Sequence, residues 1–106
     1  MKHCMNLPRL WALALLGGTL MPAQSQVELA QQKNCLGCHA VDKKVLGPAY
    51  RDIANKYAGQ KDAAERLAVK VRKGGSGAWG VLPMPANTQL TDAEARQLVR
   101  WILSLK

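Results

Sequence analysis

This 106-residue chain should fold as an all-α domain, four short helices with no sheet. Three observations carry that expectation. Asp62 with Glu65, and Thr91 with Glu94, have the spacing of helix-opening capping boxes, and apolar residues at helical spacing follow each box. No segment alternates apolar and polar residues as a half-buried strand does. The stretch between those two helices, "GGSGAWGVLPMPANTQL" from Gly74 to Leu90, carries four glycines and two prolines, which suits neither helix nor strand.

The segment before Gln26 stands apart from that domain. "MKHCMNLPR" carries Lys2 and Arg9 and no acid, "LWALALLGGTL" is an apolar run from Leu10 to Leu20, and "MPAQSQ" follows. Ala23 and Ser25 occupy the −3 and −1 places of a cut before Gln26. Charged, apolar and small-residue regions in that order describe a secretory signal peptide. A bilayer span needs roughly 20 apolar residues, so this run is too short to be an anchor. The expectation is a cleaved signal over 1–25 and a domain over 26–106, with a cut after Ala23 as the alternative. Export to the periplasm follows, with no membrane span after cleavage.

Within the domain the elements follow in order. "VELAQQKNCLGC" is rich in helix formers and predicts a helix from about Val27 to Cys38, ending near Gly37. "HAVDKKVLGP" is a polar loop. Pro48 suits the first turn of a second helix, "AYRDIANKYAG", which stops at Gly59. In the third, Ala64, Leu67, Ala68 and Val71 form one stripe. Lys70, Arg72 and Lys73 suit its negative end, and Gly74 and Gly75 terminate it. In the fourth, Ala95, Leu98, Val99, Ile102 and Leu105 share a face that Trp101 widens. The long loop before it must pack against something in so small a domain.

Cleavage would remove Cys4 and His3. What remains, Gln26 to Lys106, holds Cys35, Cys38, His39 and a single methionine, Met84. Phe is absent, and the aromatic residues are Tyr50, Tyr57, Trp79 and Trp101. A domain of this size and composition has little core of its own, and a large apolar cofactor would supplement it.

"NCLGCHA" admits three chemistries. A redox dithiol normally follows a strand, and what precedes Cys35 reads as helix. A closed zinc site needs about four ligands, and two cysteines with one histidine fall short. Attachment of a c-type haem needs the CxxCH that is present. Cysteines three apart on a helix share a face, and the following imidazole can then reach an iron from beneath the ring. Met84, in "VLPMPAN", supplies a candidate second axial ligand. Pro83 and Pro85 stiffen its backbone. A loop methionine filling a gap in the core is the plain alternative.

With these motifs in place, the chain resembles the small bacterial monohaem class I cytochromes c, the cytochrome c-551/c-552 group. The resemblance runs through "CLGCHAVDKKVLGPAYRDIANKYAG", "KGGSGAWGVLPMPAN" and "VRWILSLK". It implies the class I cytochrome c fold, with four short helices around one haem c. Thioethers would form at Cys35 and Cys38, with His39 and Met84 as axial ligands. It also implies that the Pro48 carbonyl accepts a hydrogen bond from His39 Nδ1, and that the Asn87 amide points at the Met84 sulfur. Trp79 would donate to a haem propionate with Lys70 nearby, where the family often has Arg. Plainer roles exist for Pro48 as a helix starter, Asn87 as a turn residue and Trp101 as core.

His/Met ligation fills both axial positions and favours the ferrous state. That describes a single-electron carrier and no enzyme. The family implies shuttling from a quinol-oxidising complex to a terminal oxidase or nitrite reductase. The alternative is a haem enzyme or gas sensor in which Met84 is displaced. After cleavage, which takes Lys2 and Arg9, the chain has 13 basic and 7 acidic residues, a net of +6. The partners expected are redox proteins with acidic docking surfaces, met by a monomer; nucleic acid is not among them. Lys33, Lys43, Lys44, Lys70, Arg72 and Lys73 are candidates for a basic ring around the haem edge.

Overall fold

The computed structural model describes residues 17–18 and 25–106. The expected signal peptide falls almost wholly outside the described residues. Among the described residues four helices form: α1 (Gln26–Gln32), α2 (Tyr50–Lys56), α3 (Ala63–Lys73) and α4 (Asp92–Leu103). A 3₁₀ turn (Cys35–Gly37) follows α1, and a two-stranded hairpin, β1 (Gly75–Gly77) with β2 (Gly80–Met84), lies between α3 and α4.

α1 is shorter than the sequence suggests. Ser25 caps it, accepting from the Glu28 N–H at 3.1 Å, a cap that a cut before Gln26 would remove and a cut after Ala23 would keep. Lys33 ends it, because Asn34 takes the left-handed conformation at φ 61, which Asn tolerates better than most residues. The chain then re-enters helical geometry as the tight turn that carries the cysteines.

The capping box at α4 forms in full. Thr91 Oγ1 accepts from Glu94 N–H, and Glu94 Oε2 accepts from Thr91 N–H, both at 3.1 Å. The one expected at α3 does not. Asp62 has φ −94 and ψ 1 and makes no side-chain cap. Its carboxylate instead pairs with Arg66 one turn on, at 2.9 Å.

The hairpin overturns the expectation of a sheetless fold. Gly75 pairs with Met84 and Gly77 with Gly80, with an irregular register between them. Gly75, Gly77 and Gly80 all have positive φ, so the ladder depends on backbone freedom rather than on strand-forming side chains. Pro83 is tolerated because a two-stranded sheet has only edges.

α4 packs against α3, α2 and α1. The core between them is Leu29, Ala30, Ala68, Leu90, Ala95, Leu98 and Val99. It is wholly aliphatic, and three of its seven residues are alanine. The larger apolar side chains of the helices, Ile53, Leu67, Val71 and Ile102, are only half-buried and line a cavity instead.

Candidate functional site

That cavity, of about 790 Å³, is bounded by the 3₁₀ turn, the 44–50 loop, α2, the last turns of α3, the hairpin and α4. Its size is within the range of small-molecule and cofactor sites. Cys35, Cys38, His39, Pro48, Lys70, Trp79 and Met84 all line it.

The cysteines are half-buried and free. In a 3₁₀ turn, side chains three apart eclipse one another. This gives the two thiols a common side by a different route from the α-helix expected. Burial is the main influence on the Cys35 thiol and pushes its pKa up. A redox dithiol needs the opposite, a stabilised thiolate.

His39 is 9% exposed and held on three sides. The Pro48 carbonyl lies 2.7 Å from Nδ1. A carbonyl oxygen only accepts, so Nδ1 carries the proton and Nε2 keeps its lone pair. Tyr50, 2% exposed, stacks on the imidazole with centroids 5.3 Å apart, and Trp101 meets Tyr50 edge-on at 5.6 Å. Gly47 closes the remaining side: a Cβ there would fall 2.5 Å from the His39 Cε1. The loop is tied down by Gly47 N–H donating to Cys38 O at 2.7 Å and Tyr50 N–H donating to Ala40 O at 2.9 Å.

Met84 ends β2, half-buried, with Gly75 as its ladder partner. Asn87 lies outside the cavity lining. Its side-chain amide donates to Lys33 O at 3.2 Å, and its N–H to Val71 O at 3.1 Å. The Asn87 amide therefore ties the loop to α1, where an approach to the Met84 sulfur was expected. The cause is the early end of α1, which leaves the Lys33 carbonyl without a helical partner.

Trp79 stands at the hairpin turn, 42% exposed. One neighbour was not expected. Lys56 Nζ sits 4.4 Å from the Trp79 ring centroid and donates to Ala78 O at 2.6 Å. A lysine in the last turn of α2 gives no sequence signal of a partner beyond the whole of α3.

The proposed basic ring is thinner than its residue count. Lys33 pairs with Glu94 at 3.2 Å, and Arg72 pairs with Asp92. Of the six candidates, Lys44 and Lys70 line the cavity, alongside Asp52.

Two thiols, an imidazole with a free nitrogen, a thioether and apolar walls suit a haem. They are the wrong set for a hard cation. Comparisons with known proteins agree. The family profile for cytochrome c matches residues 27–106. Cytochrome c-552 of Hydrogenobacter thermophilus is 58% identical over 79 residues, covering 74% of this chain and 80% of that one. Cytochrome c-552 of Nitrosomonas europaea is 52% identical over 84 residues, covering 79% and 82%. The crystal structure of wild-type Nitrosomonas europaea cytochrome c552 matches with a TM-score of 0.74, over 76% of this chain and 99% of that one. The chain belongs to the cytochrome c family, as a small monohaem class I member: an electron carrier built for a c-type haem, and not an enzyme.

Proposed function

We propose that this protein is a soluble periplasmic carrier of single electrons, with one haem c bound covalently through Cys35 and Cys38 and ligated by His39 and Met84. The observation that carries the reading is convergence. Two thiols, one imidazole and the one methionine of the 26–106 domain line the same apolar cavity.

When bound, the haem supplies a one-electron couple at iron, and a thioether ligand raises its potential. The chain does the rest. Cys35 and Cys38 retain the group on a domain too small to enclose it by packing alone. The Pro48 carbonyl fixes the His39 tautomer that presents Nε2. Ile53, Leu67, Val71 and Ile102 exclude water. Pro83 and Pro85 stiffen the approach of Met84, and Asn87 anchors the chain just beyond it to α1 and α3. Lys70 and Trp79 are the groups suited to the propionates.

Donor and acceptor are redox proteins that meet the open side of the cavity, in a chain from a quinol-oxidising complex to a terminal oxidase or nitrite reductase. Acidic docking surfaces suit the net charge of the domain. Among the described residues, no helix is long and apolar enough to cross a membrane.

The test is the purified holoprotein. Acid and organic solvent should fail to extract haem, and the mass should exceed that of the polypeptide by one haem. The reduced protein should bind little carbon monoxide at neutral pH. Ready binding would favour the alternative, an enzyme or sensor that displaces Met84.

A further inference from the structure

We propose that Gly74 is a positioning residue for Met84: its lack of a side chain lets the Met84–Ala86 backbone lie against the end of α3, and this contact sets the reach of the thioether into the cavity. The inference rests on the reading of Met84 as an iron ligand.

Gly74 caps α3 with φ 73 and ψ −172, a region that admits almost only glycine. Its N–H donates to Lys70 O at 2.7 Å and closes the helix. The segment that carries Met84 is joined to the chain on both sides of this point. Gly75, one residue on, pairs with Met84 in the hairpin. Val71, three residues back, accepts from the Asn87 N–H at 3.1 Å. Gly74 lies between these two ties.

A Cβ at Gly74 would lie 2.6 Å from Met84 O, 2.7 Å from Ala86 N and 2.9 Å from the Pro85 carbonyl carbon. All three are backbone atoms, so no rotamer change relieves the overlap. Pro83 and Pro85 fix two φ angles in the same segment, so it cannot fold away locally. It must move as a unit. Contacts under 3.0 Å essentially never occur and ordinary contact begins at 3.4 Å, so the new Cβ and the Met84 carbonyl must part by about 0.4–0.8 Å. Functional constellations tolerate about 0.5 Å. The other hairpin glycines differ. Gly75, Gly77 and Gly80 have positive φ, but a Cβ on any of them meets nothing within 4 Å.

The experiment compares wild-type holoprotein with Gly74→Ala and Gly59→Ala. Gly59 also has positive φ, at +78, but a Cβ there meets open space. It therefore serves as a positive-φ glycine without the contact. The readouts are the far-red band of the Met–iron bond, the potential, and the affinity of the ferric protein for added imidazole, which competes with Met84. Gly74→Ala should bind imidazole on the order of tenfold more tightly or better, with a weaker far-red band and a lower potential. Gly59→Ala should lower the melting temperature and leave all three readouts at wild-type values. A wild type without the far-red band would defeat the Met84 reading, and this inference with it. A wild type with the band, and a Gly74→Ala that matches it in potential and imidazole affinity, would overturn the role of Gly74 alone. If Gly74→Ala yields no holoprotein, Gly74→Ala/Pro85→Ala is compared with Pro85→Ala. Tighter imidazole binding in the double variant supports the role, and equal binding overturns it.

Discussion

The imidazole of His39 and the ring of Tyr50 are stacked, with centroids 5.3 Å apart and planes inclined by 25°. Tyr50 is almost wholly buried and is itself backed by the edge of Trp101. The proximal side of the site is therefore an aromatic column that runs from the histidine into α4. Replacing Tyr50 by Ala should cost about 3–5 kcal/mol, the usual range for deleting a buried ring. Tyr50→Phe should keep the stack and most of the stability. Thermal unfolding of the two variants separates ring packing from the hydroxyl.

Gly47 borders the same imidazole. A methyl group there overlaps the ring, and moving the ring aside would disturb the His39 Nδ1 bond to the Pro48 carbonyl. Gly47→Ala should cost about 1–3 kcal/mol through overpacking. It should also shift the His39 ring resonances in an NMR spectrum, which a stability loss elsewhere would leave in place.

Much of this site was legible in the sequence because its signals are local. Cys35, Cys38 and His39 announce themselves by spacing, and Thr91 with Glu94 marks the start of α4. What was not legible depends on non-local contact. The 3₁₀ turn depends on the single conformation of Asn34, in a segment otherwise full of helix formers. The hairpin forms because glycines at 75, 77 and 80 permit positive φ, and glycine carries no strand pattern. Asp62 has the spacing of a cap, but Arg66 competes for its carboxylate. Asn87 finds the Lys33 carbonyl only because α1 stops early.

At the start of α4, Thr91→Ala should cost about 1 kcal/mol. The Glu94 carboxyl reports on the same cap as a function of pH. The backbone N–H of Thr91, and then Lys33, hold it below the usual carboxylate range. A depressed folded value contributes stability that is fully present above the unfolded value. That stability is lost as pH falls through the folded one. Glu94→Gln should therefore be less stable than wild type at neutral pH, and the gap should narrow as pH falls below the ordinary carboxylate range. Melting curves across that range test it. A gap that widens in acid would contradict the assignment.

Lys56 joins the end of α2 to the hairpin, through the Trp79 ring and the Ala78 carbonyl. A cation over an exposed ring contributes about 0.5–1 kcal/mol. Lys56→Gln should lower stability by about that amount. Lys56→Arg should keep the cation over the ring and recover most of the loss. Paired melting curves decide it, and two variants of equal stability would rule out the cation–ring contact.

His39 and Met84 line one cavity, and on the proposed function both reach the same iron. The most direct test is the reduction potential of Met84→Ala holoprotein beside the wild type, with both far-red spectra recorded. Met84→Ala should show a large fall in potential, together with loss of the far-red band and new binding of carbon monoxide to the reduced protein. An unchanged potential with the band intact would show that another group, and not Met84, completes the ligand set.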